Sequence, residues 1–213
     1  MTAHLAILPI LIPLAAAALL LASGGRGRRF EPVIAVTAGA ALLAVALTLA
    51  VVVDARQGAG LVLTYRLGDW PTSVAIVLVA DRLSALMLVL ASVLGLVNVF
   101  VSLGRWSRLG PHYQALSQLL LMGLNGAFLT GDLFNLFVFF EILLCASYGL
   151  LLHGAGARRV AAGLHYIVIN LATSLLFLVG VAVIFGVTGT LNMAALAERI
   201  PELEPSARGL LHA

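Results

Sequence analysis

The chain has 213 residues, 62% hydrophobic and 10% charged, where soluble domains run at about 45–50% and about 25%. That is too little polar surface to cover a water-soluble globule, and the bilayer is the solvent that fits. The net charge is +3, with arginine at every Lys/Arg position; this small, scattered excess excludes a nucleic-acid surface.

In chain order, six apolar runs approach the roughly 20 residues a spanning helix needs. They cover about 4–23, 33–53, 83–101, 113–129, 133–152 and 160–187. The first is of spanning length and no small-residue cleavage site follows it, so it reads as a span, not a removed leader. No polar linker divides the runs. The expected fold class is therefore all-α, one polytopic transmembrane domain of six helices. The connection after the first run holds Arg26, Arg28 and Arg29, the third holds Arg105 and Arg108, and the fifth holds Arg158 and Arg159. The second carries Arg56, Arg66 and Arg82 beside Asp54, Asp69 and Asp81, and the fourth has no basic residue. Arginine-rich loops stay on the cytoplasmic side, which predicts an N-terminus outside.

In the second connection, "LVLTYRLGDWP" alternates weakly and ends in turn residues, which predicts a short outer hairpin with Trp70 at the interface. Asp81 and Arg82 read as a cap or a surface pair. The fourth connection is only Thr130, Gly131 and Asp132, so the helices on either side are antiparallel neighbours and Asp132 is an N-cap. Gly123 and Gly126 allow close helix packing. After the sixth run, Asn192 or Thr190 is expected to cap a short amphipathic surface helix over about 192–200, ended by Pro201. The last residues lack the apolar length of a seventh span, so the chain reads as part of something longer. The single cysteine, Cys145, makes neither an internal disulfide nor a metal site, and no cofactor pattern is present.

One residue stands out from this apolar background. Glu141 lies inside "FNLFVFFEILLCASYGLLL", nine positions beyond Asp132. At 1.5 Å per residue that is roughly 13 Å along the helix, close to the middle of a hydrocarbon core about 30 Å thick. An acid there costs about 2.5–3.5 kcal/mol on insertion scales. The chain holds no lysine to pair with it. Burial favours the neutral acid and a nearby cation favours the carboxylate; an acid balanced between the two takes up and releases protons. Glu141 is therefore the expected proton carrier. Cys145 and Tyr148 continue its face at i+4 and i+7, and Phe137 and Phe134 close the other direction. On the sixth run Tyr166, Asn170, Thr173 and Ser174 share a helical face, with His165 beside them. Tyr148, Tyr166, Asn170, Thr173, Ser174 and His165 form a candidate relay, although hydrogen bonding between helices would also explain the Ser, Thr and Asn residues.

These stretches, "NGAFLTGDLFNLFVFFEILL", "LHYIVINLATSLLFLVGVAVIFGVTGTLNMA", "VADRLSALMLVLASVLGLV" and the opening "LAILPILIPLAAA", resemble the D component of the Mrp-type multisubunit monovalent cation/proton antiporters. That family is similar to the antiporter-like membrane subunits of complex I and of membrane-bound hydrogenases. The resemblance implies a larger fold of about fourteen helices with inverted repeats, of which this chain carries the N-terminal portion. It also implies a glutamate on helix five, matched by Glu141, paired with a lysine on helix seven, and a lysine in many relatives where this chain has His165.

By resemblance, then, the chain is a secondary-transporter subunit, not an enzyme, that moves protons against Na⁺ or K⁺. It would work in the cell membrane with other subunits of a hetero-oligomeric complex, in contact with lipid, protons and monovalent cations. The alternative is a proton-translocating membrane subunit of an NADH-quinone oxidoreductase or membrane-bound hydrogenase. A third reading is a scaffold that only packs against its neighbours.

Overall fold

A computed structural model describes residues 2–23, 30–58, 62–69, 76–104, 110, 112–154 and 156–212. Arg26, Arg28, Arg29, Trp70, Arg105 and Arg108, which carried much of the topology and hairpin reading, lie outside the described residues. A 3-10 turn, Thr2–Ala6, leads into α1, Leu8–Ala22, followed by α2, Glu31–Gly58. Strands β1, Leu63–Arg66, and β2, Val77–Ala80, precede α3, Arg82–Gly104. Then come α4, Tyr113–Leu129, α5, Leu133–Leu152, and α6, Ala157–Thr188. The short helices α7, Met193–Arg199, and α8, Pro205–His212, end the chain.

The chain is mostly helical but not all-α. The hairpin forms, with β1 antiparallel to β2 and Leu63 opposite Ala80. Its second strand, VLVA, sits in a continuous apolar run and has no alternation to mark it as a strand. Among the described residues, α2, α3, α5 and α6 are long and apolar enough to cross a membrane. The other two bundle helices are shorter, α1 at 15 residues and α4 at 17. The 3-10 turn takes up the start of the first apolar run, and α4 stops where Thr130 turns extended.

Helix packing rests on close approach, since lipid tails are as apolar as the side chains they would replace and burial alone drives little. The α4–α5 pair shows this most clearly. A Cβ on Gly123 would lie 2.8 Å from the Leu143 backbone nitrogen and 2.9 Å from the Phe139 carbonyl oxygen. A Cβ on Gly126 would lie 2.2 Å from the Phe139 ring. The two glycines are three residues apart, on one face of α4, and they let α5 settle backbone to backbone.

Helix α1 is joined to α4 differently. Pro13 has no N–H, so the Pro9 carbonyl one turn earlier loses its helical donor. Asn125, fully buried on α4, donates from Nδ2 to that carbonyl at 2.9 Å. Asp81 caps α3 by accepting from the Ser84 N–H at 2.7 Å. Arg82 pairs with Asp54 at 2.9 Å, and both side chains are exposed. Such a surface pair contributes at most about 1 kcal/mol.

One end of the bundle is stitched by the loop between α4 and α5. The Gly131 N–H donates to the Val77 carbonyl at 2.8 Å, and Leu78 bridges to Thr130. On its other edge, the Leu133 N–H donates to the Leu191 carbonyl at 3.0 Å and the Met193 N–H to the Gly131 carbonyl at 2.9 Å. Three connections that are remote in sequence thereby hold the start of α5. Helix α7 is capped by Asn192, whose side chain accepts from the Ala194 and Ala195 N–H groups. Arg199 reaches back to the Thr188 carbonyl at 2.8 Å. Leu196 is buried, and the helix gives way to a 3-10 turn, Ile200–Glu202, that contains Pro201.

Candidate functional site

The position of Glu141 follows from the anchoring of α5. Asp132 is extended and its side chain accepts from the Asn135 N–H at 2.9 Å, satisfying one of the free amides of the first turn. Asn135 in turn donates to the Thr130 hydroxyl at 2.9 Å. With this end fixed, Glu141 falls in the middle of a 20-residue helix. The residue is half-buried. Its Oε1 is enclosed and has no hydrogen-bond partner among the described residues.

Glu141 borders two cavities. One, about 400 Å³, lies toward α4 and is lined by Leu116, Leu119, Phe137, Val138, Cys145 and others, nearly all apolar. The other, about 240 Å³, is the cleft between α5 and α6, where Glu141 meets Asn170, Thr173 and Ser174. Three of the polar residues expected on α6 thus line one space with the acid. Leu143, Leu144 and the rings of Phe137, Phe140 and Phe177 complete the cleft.

Those rings cluster toward the Asp132 end. Phe177 stacks on Phe137 with ring centroids 6.2 Å apart and meets Phe140 edge-on at 6.4 Å; Phe134 packs against Phe137 at 6.2 Å. In the opposite direction along α5, Tyr148 meets Tyr166 edge-on at 5.6 Å. Tyr166 also lines a groove with Ser147, Leu150 and Ala162. Two of the expected relay residues therefore touch each other.

His165 is not brought to the cleft. It precedes Asn170 by five residues, which at 3.6 per turn sets it about 140° around the helix. It is exposed, and its Nδ1 lies 2.9 Å from the Ala161 carbonyl of its own helix. His153, just after the end of α5, is buried with its ring against Tyr113 at 5.2 Å.

A polar seam between α3 and α4 was not anticipated. Tyr113 donates to Asn98 at 3.0 Å, Asn98 to Ser117 at 3.3 Å, and Gln114 to Ser102 at 2.7 Å. Gln118 and Asn125 continue the same side of α4 and are fully buried. The signal in the sequence was the spacing of Gln114, Gln118 and Asn125 within an otherwise apolar helix. The seam faces α1 and α3, away from Glu141.

Residues 130–211 match the family model described as NADH:quinone oxidoreductase/Mrp antiporter, TM. Over 212 residues the chain is 53% identical to the D component of a probable K⁺/H⁺ antiporter of Rhizobium meliloti (strain 1021), covering 98% of this chain and 39% of that protein. It is 44% identical over 203 residues to the D component of a Na⁺/H⁺ antiporter of Alkalihalophilus pseudofirmus, covering 94% and 40%. Among solved structures, the Mrp complex from Dietzia sp. DQ12-45-1b contains a chain that superposes with a TM-score of 0.82 at 33% identity, covering 99% of this chain and 43% of that one. The chain thus spans about two-fifths of the length of the curated relatives it matches.

Proposed function

We propose, from the likeness of this chain to the N-terminal two-fifths of the D components of Mrp-type antiporters, that it forms part of a proton-coupled Na⁺ or K⁺ antiporter in which Glu141 carries the proton. The observation behind this reading is the enclosed, unpartnered carboxyl oxygen of Glu141 at a cleft shared with Asn170, Thr173 and Ser174. Tyr148 and Tyr166 extend the polar face toward the α5–α6 connection and supply hydroxyls for a hydrated route, from which His165 is turned away. The polytopic arrangement has six spans with the N-terminus outside, in the cell membrane, and the chain works beside other subunits of a hetero-oligomeric complex. Arg158 and Arg159, at the start of α6, mark the cytoplasmic side.

The matched family description spans both quinone oxidoreductases and Mrp antiporters, so a proton-translocating subunit of a respiratory oxidoreductase is the second reading. It shares the Glu141 step and differs in what drives it.

The test is Glu141→Ala and Glu141→Gln in the assembled complex, assayed by cation-induced pH change in everted vesicles. Both variants should abolish exchange at normal protein levels, and Glu141→Asp should keep part of it. Exchange at the normal rate in Glu141→Ala would leave only a packing role for this helix.

A further inference from the structure

We propose that the groove between α3 and α4 holds one acyl chain of an anionic phospholipid, with the oxygens of its head at the end where the α3–α4 and α5–α6 connections lie. The site is outside the α5–α6 cleft and does not depend on the role of Glu141.

The groove has a volume of about 320 Å³. Along α4 its lining runs from Tyr113 to Leu124, roughly 16 Å at 1.5 Å per residue. Volume over length is a cross-section of roughly 20 Å², room for one extended hydrocarbon chain and no more. Leu94, which lines the groove, is 58% exposed, and Leu90 and Val97 on the same helix are each 51% exposed. The groove therefore opens on the outer apolar surface of the bundle.

Its two ends differ. Ala91 and Leu124 make the deep end apolar, and Asn98, Tyr113 and Ser117 gather at the other. The Tyr113 hydroxyl spends its hydrogen on Asn98 Oδ1, and Asn98 Nδ2 gives one hydrogen to Ser117 Oγ. The second Nδ2 hydrogen and the Ser117 hydroxyl hydrogen have no acceptor among the described residues. Ser117 is 4% exposed, and a buried donor without an acceptor is costly. The ester carbonyl and phosphate oxygens of a phospholipid accept hydrogen bonds and do not donate them. Ser117 lies four residues inside α4, roughly 6 Å, within the roughly 5–8 Å of the headgroup layer on each side of a bilayer.

Charge selects the kind of head. The Tyr113 ring meets His153, and Arg159 donates to the His153 carbonyl. Arg158 beside it is exposed. In the sequence, the stretch from Asn98 to Ser117 holds Arg105 and Arg108, the stretch from Cys145 to His165 holds Arg158 and Arg159, and neither contains an acid. Basic segments next to spanning helices attract anionic lipid. The tail adds little selectivity, because an acyl chain leaves surroundings as apolar as those it enters. What retains one lipid is the pair of open donors together with the arginine charge.

The experiment uses the assembled complex in phosphatidylcholine vesicles with a minor share of phosphatidylglycerol. The probe is either lipid carrying a photoreactive diazirine at the end of one acyl chain. After illumination, mass spectrometry should find the phosphatidylglycerol probe on Ala91, Leu121 or Leu124, well above the phosphatidylcholine probe. Arg158→Gln should cut that preference about fivefold, the equivalent of about 1 kcal/mol for one basic residue near anionic lipid. Ser117→Ala removes a donor and should lower labelling by phosphatidylglycerol. Leu124→Phe and Ala91→Leu fill the deep end from different helices and should suppress labelling there, while Leu90 and Val97 on the outer face of α3 stay labelled. If neither filled variant assembles, Ser117→Ala and Arg158→Gln decide. Labelling of Leu90 and Val97 with none at the deep end means bulk lipid only and overturns the site. Equal labelling of the deep end by both probes, unchanged in Arg158→Gln and Ser117→Ala, overturns recognition of an anionic head.

Discussion

Phe137 and Phe177 stack across the α5–α6 cleft with their rings 10° from parallel and their centroids 6.2 Å apart. Phe140 meets the same Phe177 ring from its edge. One residue of α6 thus completes an aromatic cluster to which α5 contributes the remaining rings, on the Asp132 side of Glu141. Aromatic contacts of this type contribute about 0.5–1.5 kcal/mol beyond the area they cover, and here they cover the Asp132 side of the cleft.

Phe177→Ala should therefore open a path from that end to the acid. The expected result is a raised proton leak in vesicles holding the assembled complex without any exchangeable cation, with protein levels unchanged. Phe177→Leu keeps most of the volume and should leak less. The decay of an imposed pH gradient measures both, and identical decay in all three proteins would mean that the closure lies elsewhere.

The glycine pair on α4 predicts a difference between two substitutions. At Gly123 an added Cβ meets backbone atoms of Leu143 and Phe139, and backbone cannot rotate away. At Gly126 it meets the ring of Phe139, a side chain that can be shortened. Gly123→Ala should lower stability by about 1–3 kcal/mol, the usual cost of overpacking. Gly126→Ala should do the same on its own and be largely rescued by Phe139→Leu. Thermal unfolding of the detergent-solubilised complex reads the order, and rescue of Gly123→Ala by Phe139→Leu would contradict this account of the contact.

Removing the cap on α5 tests how the acid is positioned. Asp132→Ala deletes the acceptor for the Asn135 N–H and should cost about 1 kcal/mol. Asp132→Asn keeps a side-chain oxygen and should cost less. The backbone links from Gly131 and Leu133 to the ribbon and to Leu191 remain, so the helix should stay in place and exchange should persist at reduced protein stability. Complete loss of exchange in Asp132→Asn at normal stability would give Asp132 a role in ion passage that its geometry does not indicate.

Legibility in the sequence followed the range of the interactions. The mid-helix position of Glu141 was readable because it follows from counting along one apolar run, and Asp132 because capping depends on residues three apart. Asn170, Thr173 and Ser174 were readable from helical spacing alone. His165 was grouped with them by proximity in sequence, but its angle on the helix turns it away. The partner of β1 was hidden because β2 is apolar throughout. The α3–α4 seam was missed because Asn98 and Ser117 each look like an isolated polar residue until tertiary structure pairs them.

The longest-range of these pairings gives the sharpest test of packing. Asn125 and Pro9 are 116 residues apart, and the hydrogen bond between them exists because Pro13 withholds a donor. Asn125→Leu leaves the Pro9 carbonyl buried without a partner, a loss that costs about 1–3 kcal/mol. The net effect should fall toward the lower end, because the substitution also removes the buried Oδ1 of Asn125, which has no partner among the described residues. Pro13→Ala restores an N–H one turn after Pro9, and that N–H can close the ordinary helical bond. The double variant should therefore be more stable than Asn125→Leu alone, while Pro13→Ala in the unaltered background should gain little, since the carbonyl already has a donor. A double-mutant cycle on thermal stability isolates this coupling. Strict additivity of the two substitutions would mean that Asn125 holds α1 by shape rather than by supplying the hydrogen bond that the proline cannot.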